Sequence, residues 1–199
     1  MTKAIRIHET GGPEVLRWED VEVGDPGDGE IRVRHTAIGL NYIDTYQRSG
    51  LYPLALPLTL GMEGAGVVEA TGANVSDLKQ GDRVAYASPP PGSYSEARII
   101  GADRVVKVPD GVDDNTAAAM MLQGMTAQYL IRQIHKVSAD DTILIHAAAG
   151  GVGLIACQWL NHLGVTVIGT VGSEEKAELA RAHGCHHTIN YNEEDFVER

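Results

Sequence analysis

The stretch ILIHAAAGGVGLIACQW, residues 143–159, constrains the fold more than any other. An apolar β-type run, TILIHA, enters a glycine-dense turn. It leaves as an amphipathic run with Val152, Ile155, Ala156, Trp159, Leu160 and Leu163 at helical spacing. Gly164 then stops the helix as a left-handed cap. A strand (VTVIGT), a helix (SEEKAELARAHG) and a strand (HTINY) follow. This alternation predicts a parallel sheet of the doubly wound type. Small residues stand at Ala148, Gly150 and Gly153, the i, i+2 and i+5 positions of a dinucleotide-binding turn. Gly150 and Gly151 let backbone N–H groups approach a pyrophosphate, Gly153 lets the helix lie close to the strand, and the helix N-terminus adds partial positive charge. A tight strand-to-helix turn without a ligand is the plainer alternative.

The identity of the dinucleotide turns on the end of the second strand. NAD sites place an acid about twenty residues past the first small residue. Here that stretch is Ile168-Gly169-Thr170-Val171-Gly172-Ser173, with no acid. Ser173 can cap the next helix, and Lys176 falls in its first turn, where a cation opposes the helix dipole. An anion reverses that sign. The Gly172 N–H, the Ser173 hydroxyl and Lys176 therefore suit a 2′-phosphate, with Tyr191 packed near the same end, and NADPH is expected over NADH. Glu174 and Glu175 fit this reading only if they point away; otherwise Ser173 is an ordinary cap and Lys176 a surface lysine.

With a formal net charge of −11, a phosphate must bind in a local pocket, and a nucleic-acid partner is not expected. No apolar stretch reaches membrane-spanning length, and MTKAIRIHET reads as a charged strand, not a signal peptide. Two cysteines cannot make a disulfide framework or a four-thiolate zinc knot, so a reduced, cytoplasmic protein is expected. Cys157 lies just off the helix stripe as inert packing. His186-His187 beside Cys185 point to opposite faces of a strand, which argues against a metal, and His146 reads as structural.

Residues 1–108 read mainly as short strands: KAIRI, EIRVRH, GAGVVEA, DRVAYA and SEARIIG. Gly11-Gly12-Pro13, Pro26-Gly27-Asp28-Gly29, Gly72-Ala73-Asn74, Gln80-Gly81-Asp82 and Pro89-Pro90-Pro91-Gly92 separate them. Such spacing predicts a compact, barrel-like β domain. Asn115-Thr116 can then cap a helix, AAAMMLQGMTAQYLIRQI, which is apolar almost all round and so expected to be buried. The expected domains are 1–124 and 125–199. Within the first, AIGLNYIDTYQRSGLYP carries Asn41, Tyr42, Asp44, Tyr46 and Tyr52, three of the chain's seven tyrosines. Tyrosine offers a flat apolar ring plus one hydroxyl, which suits planar substrates and a nicotinamide amide. A tyrosine-rich loop and short helix packed on the barrel is the alternative.

Beyond these readings, GMEGAGVVEATG, NYIDTYQRSGLYP, AAAGGVGLIACQW, GTVGSEEK and INYNEEDFVER together resemble one family. It is the zinc-independent branch of the medium-chain dehydrogenases/reductases, the zeta-crystallin-like NADPH:quinone reductases. Zinc-dependent members carry a Gly-His-Glu motif and a cysteine ligand in an earlier loop. Met62 stands in the histidine's place, and Ile38-Gly39-Leu40-Asn41 has no cysteine. A thioether and an amide are poor Zn²⁺ ligands, so no metal is expected. The resemblance implies a mixed α/β chain: a GroES-like β-barrel-type domain, then the first part of a Rossmann doubly wound sheet.

The same resemblance implies roles. Asn41, Tyr42, Ile43, Asp44 and Tyr46 would lie beside the nicotinamide, with Tyr52 in that cleft. Thr126 and Tyr129 would lie near the nicotinamide ribose and phosphate. Gly151, Val152 and Gly153, with Gly150, would take the pyrophosphate, and Gly172, Ser173, Lys176 and Tyr191 the adenosine phosphate. The implied activity is metal-free transfer of reducing equivalents from NADPH to a quinone or another electron-poor carbonyl. Asn41, Tyr46 and Tyr52 are the catalytic candidates, as donors to the acceptor oxygen. The alternatives are a non-catalytic, crystallin-like NADPH-binding protein and a zinc-free enoyl or alkenal reductase. A homodimer is implied. The family continues beyond Arg199, whereas this chain supplies three strands and reaches a further helix start at Glu193-Glu194-Asp195. It therefore reads as a fragment, or as a part that a second chain completes.

Overall fold

Alternating strands of the N-terminal half pair into two antiparallel sheets in the computed structural model, which describes residues 1–195, 197 and 198. Phe196 and Arg199 of the INYNEEDFVER motif lie outside the described residues. The chain divides into two units, Met1–Leu122 and Gln123–Arg199.

In the first unit, β3 (Glu30–Gly39), β5 (Glu63–Thr71), β6 (Arg83–Ala87), β7 (Ala97–Gly101) and β8 (Val106–Lys107) form a sheet in the order β7-β3-β5-β6-β8. A smaller sheet has the order β2-β1-β4, from β1 (Thr2–Ile7), β2 (Arg17–Val21) and β4 (Leu58–Thr59). A bridge between Ala4 and Ser95 links β1 to the loop before β7. Ile31, Val33, Val68, Val84, Tyr86 and Ile100 fill the core. The pairing of β3 with β5 slips between Arg32 and Val33 and again between His35 and Ala37. Such bulges bend a strand, and here they precede the segment that delivers Asn41. At the second bulge, His35 accepts from the Tyr86 hydroxyl at Nε2 (2.6 Å) and donates from Nδ1 to the Ser95 carbonyl (2.7 Å). Burial holds its pKa down at about 4, so the ring is neutral.

Three strands escape the sequence reading. β2 is largely exposed on both faces, and β4 and β8 have two residues each, too few for an alternation to show.

Helix α1 (Tyr42–Ser49) ends at Gly50, whose φ of 82° provides the left-handed cap. Helix α2 (Asp114–Tyr129) departs from expectation in two ways. Its cap is Asp113, not Asn115-Thr116: Asp113 Oδ1 accepts the Thr116 N–H at 2.9 Å and Oδ2 the Thr116 hydroxyl at 2.7 Å. Nor is it buried all round, because Met120, Met125 and Tyr129 are exposed, as are Leu130 and Ile134 in the π-helical turn that follows. An apolar circumference alone could not say which face packs.

The second unit is a parallel sheet of order β11-β10-β9, from β9 (Thr142–Ile145), β10 (Thr166–Val171) and β11 (His187–Asn190). Helices α3 (Gly151–His162) and α4 (Glu174–Ala182) connect them in βαβαβ order. Gly164 closes α3 at φ 78°, as expected. The buried face of α3 is Gly153, Ala156, Cys157 and Leu160, while Val152, Ile155 and Trp159 are half-buried. Cys157 thus belongs to the packed stripe, and burial pushes its thiol up to about 12. At Glu193-Glu194-Asp195 the expected helix start is instead a turn, with the Glu193 and Glu194 amides both on the Asn190 carbonyl.

Candidate active site

In the first unit, buried polar groups organise the tyrosine segment. Asn41 precedes α1 and pairs with Asp44 in a capping box, where Asp44 Oδ2 accepts the Asn41 N–H at 2.9 Å. Asn41 Nδ2 donates to Glu63 Oε2 at 2.8 Å. Glu63 Oε1 accepts the backbone N–H of Leu122 at 2.7 Å, so this carboxylate reaches an amide within α2. Gly39 makes room for it: a Cβ there would strike the Glu63 carboxylate and the Ala118 carbonyl. Asp44 also accepts the Tyr94 hydroxyl at 2.9 Å, and Gln47 Nε2 donates to Met62 Sδ at 3.6 Å.

Burial raises the pKa of both Asp44 and Glu63. Asp44 Oδ1 and Gln47 Oε1 are buried and have no hydrogen-bond partner among the described residues. Asn41 is therefore a buried amide held from several sides rather than a free donor on a loop.

The tyrosines behave differently. Tyr42 and Tyr46 have ring centroids 6.4 Å apart, and Tyr46 meets Tyr52 edge-on at 5.4 Å. All three are exposed, while Ile43 between them is half-buried. The structure thus joins Tyr42, Tyr46 and Tyr52 in one aromatic row, anchored through the cap of α1 to the Asn41–Glu63 pair. Such a surface can bind planar apolar molecules and donate hydrogen bonds.

In the second unit, the glycine turn is made of backbone. Gly150 caps α3 without a side chain, and its own N–H is used within the turn, on the Ala147 carbonyl at 2.8 Å. The first intrahelical bond runs from Leu154 to Gly150, so the Gly151, Val152 and Gly153 amides have no acceptor within α3. Those three amides, with the helix dipole, are able to receive an anion. A Cβ on Gly153 would lie 2.6 Å from the Ala148 carbonyl oxygen, which is the close helix–strand approach expected of this position. At Gly151 the side-chain amide of Gln123 occupies the space a Cβ would need. Thr126 lies three residues on from Gln123 along α2, and Tyr129 three further, exposed. His146 is tied to the Thr170 hydroxyl at 3.0 Å.

At the end of β10, a Cβ on Gly172 would lie 2.6 Å from the Tyr191 hydroxyl, so glycine and tyrosine are brought together. Asn192 Nδ2 holds the Gly172 carbonyl at 2.8 Å. Ser173 caps α4 by accepting the Lys176 N–H at 3.3 Å. Lys176 is exposed. Glu174 turns toward Arg181, with which it pairs.

Sequence reasoning missed Glu63, Gln47, Tyr94 and Gln123. Glu63 had a signal, a single carboxylate in the apolar run GMEGAGVV, which burial would force to find donors. Gln123 had none, because only tertiary structure brings it to the glycine turn.

Comparison with known proteins adds family matches, similar relatives and a similar solved structure. The family described as "Alcohol dehydrogenase GroES-like domain" matches residues 27–138, and "Zinc-binding dehydrogenase" matches residues 151–199. The chain is 56% identical over 200 residues to a quinone oxidoreductase of Pseudomonas aeruginosa, covering 100% of this chain and 62% of that protein. It is 52% identical to a 2-haloacrylate reductase of a Burkholderia species, covering 100% of this chain and 61% of the relative. The solved structure of Escherichia coli quinone oxidoreductase complexed with NADPH superposes with a TM-score of 0.97 at 48% identity, covering 99% of this chain and 61% of that one. The chain thus spans about three-fifths of the length of the curated relatives it matches.

Proposed function

The chain belongs to the family defined by the alcohol dehydrogenase GroES-like domain, and from that premise we propose that it is part of a metal-free, NADPH-dependent reductase of quinones. One observation carries the choice of coenzyme. The adenosine end has no acid at Gly172-Ser173, and its Lys176 is exposed beside a serine cap. Gly172, Ser173, Lys176 and Tyr191 hold the adenosine phosphate. The Gly151, Val152 and Gly153 amides hold the pyrophosphate, Gly150 leaves it room, and Thr126 and Tyr129 attend the nicotinamide ribose. Bound NADPH supplies the hydride that reduces the acceptor.

The exposed rings of Tyr42, Tyr46 and Tyr52, tilted against one another, line the place where a planar quinone rests, with Ile43 between the first two in sequence. The hydroxyls of Tyr46 and Tyr52 donate to the acceptor oxygens, and Asn41, buried and bound to Glu63 and Asp44, fixes the segment that carries them. No zinc takes part in this reading. Around Met62 the available groups are a thioether and two amides, while the Glu63 carboxylate already accepts from Asn41 and Leu122. The net charge of −11 and two buried free cysteines support a cytoplasmic protein without a nucleic-acid partner. A homodimer is the assembly the family resemblance favours.

The test is oxidation of NADPH, followed spectrophotometrically, with 1,4-benzoquinone as acceptor. Turnover that falls in Tyr46→Phe and Tyr52→Phe is expected; no turnover above buffer overturns the reading. NADPH bound without turnover of any acceptor would identify a crystallin-like binding protein instead. A second reading, reduction of electron-poor alkenes, has the 2-haloacrylate reductase relative in its favour. Faster turnover of 2-chloroacrylate than of benzoquinone would select it.

A further inference from the structure

We propose that Arg181 is a specificity-determining positioning residue: it draws Glu174 away from the N-terminal end of α4 and keeps that end receptive to a 2′-phosphate. The inference rests on the reading that Gly172, Ser173 and Lys176 receive that phosphate.

The first turn of α4 carries two acids and one base, Glu174, Glu175 and Lys176. The helix dipole attracts acids to this end, so an untethered Glu174 would lie over the amides a ligand phosphate needs. Its carboxylate is instead paired with Arg181 Nη2. The two residues are seven apart, two helical turns, and so share a face. Arg181 is itself anchored, its Nη1 donating to the Thr188 hydroxyl of β11 at 2.6 Å. Its side chain reaches back toward the helix N-terminus, the natural direction for a helical side chain. One prong of the guanidinium thus grips the sheet and the other holds the acid.

Both side chains are well exposed, 42% for Arg181 and 65% for Glu174, so the pair adds little to stability. Its consequence is where the negative charge sits. Lys176 enters no ion pair among the described residues, so it is left to meet an anion from outside. Released, Glu174 would compete for Lys176 and repel a dianion. A displacement of several ångströms at a screened surface corresponds to about three- to tenfold in affinity.

The experiment is calorimetric titration of the chain with 2′,5′-ADP and with 5′-AMP. Arg181→Met should weaken 2′,5′-ADP by about three- to tenfold and leave 5′-AMP unchanged, with the loss shrinking as salt is added. Glu174→Gln alone should change neither ligand, because that acid is already held away. In the Arg181→Met background it should restore 2′,5′-ADP. Thr188→Val, which removes only the anchor, should give a partial loss and guards against a folding defect in the arginine variant. Equal weakening of both ligands by Arg181→Met, or no restoration in the double variant, overturns the proposal. The phosphate site itself fails differently. If Lys176→Met leaves the preference for 2′,5′-ADP over 5′-AMP intact, the site reading falls and this inference with it. If Lys176→Met abolishes the preference but Arg181→Met does not, only this inference falls.

Discussion

The tyrosine region of the first unit and the glycine turn of the second are built from different materials. The first is a lattice of side chains: Asn41 is held by Asp44 and Glu63, Asp44 accepts from Tyr94, Gln47 donates to Met62, and the exposed tyrosines lie on the same segment. The second is backbone: three amides at a helix start, shaped by what the glycines lack. A side-chain site is broken by deleting atoms, whereas a backbone site is broken by adding them. The largest expected effect tests this directly. Gly153→Val places its side chain against the Ala148 carbonyl and should destabilise the second unit by about 3 kcal/mol or more, with NADPH binding lost. Gly150→Ala meets nothing nearer than the Ala147 carbonyl at 3.1 Å, at an ordinary φ of −82°, and should cost under about 1 kcal/mol. Urea unfolding of the two variants checks the contrast, and equal losses would break it.

Side-chain networks also respond to pH, which backbone cradles do not. His35 titrates at about 4 in the folded chain and near 6.5 when unfolded. Between those values the unfolded state binds the extra proton, so stability from this group is complete above 6.5 and is lost as pH falls toward 4. The full loss is at most about 3 kcal/mol. Thermal unfolding at pH 7 and pH 4.5 should show an acid loss that His35→Gln reduces. Burial pushes Glu63 the opposite way, since its raised pKa favours the folded state while protonated and costs stability as pH rises through the folded value. Glu63→Gln should sharpen the comparison further. Its amide can still accept from Leu122 but sets an NH₂ against the Asn41 NH₂, for about 1–3 kcal/mol unless the Asn41 amide turns over. In a reductase assay the same variant should lower kcat more than it raises KM.

The same contrast explains what could be read from the sequence. The glycine turn was legible because its requirements are local: strand, small residues at fixed spacing, amphipathic helix. Gly153, Gly164 and Ser173 stand in the structure where that logic puts them. The tyrosine cluster was legible as composition, but not the network beneath it. Asn41 to Glu63 spans 22 positions and Glu63 to Leu122 spans 59, and no periodicity encodes such pairs. The α2 cap was misplaced by two or three residues because Asp113, Asn115 and Thr116 are all acceptable caps, and only the fold selects among them. Cys157 reads from the sequence as packing just off the α3 stripe and lies within it, because spacing alone does not show that close packing on a sheet favours the small apolar residues.

The smallest expected effect on stability separates the two materials within a single residue. Ser173 is a side chain serving a backbone site: its hydroxyl caps α4 by accepting the Lys176 amide, and in the proposed function it also meets the 2′-phosphate. Ser173→Ala removes both roles and should cost about 1 kcal/mol of stability along with affinity for NADPH. Ser173→Asp divides them. Aspartate caps as well as serine and suits the helix dipole, so stability should hold within about 0.5 kcal/mol. It also sets a carboxylate where a phosphate would lie and an acid where a ribose hydroxyl would find a partner, so the preference should shift from NADPH toward NADH. Parallel thermal melts and titrations with the two coenzymes read both quantities. A Ser173→Asp chain that melts like the wild type and still prefers NADPH would mean that Ser173 is only a cap, and the adenosine phosphate would have to be held elsewhere.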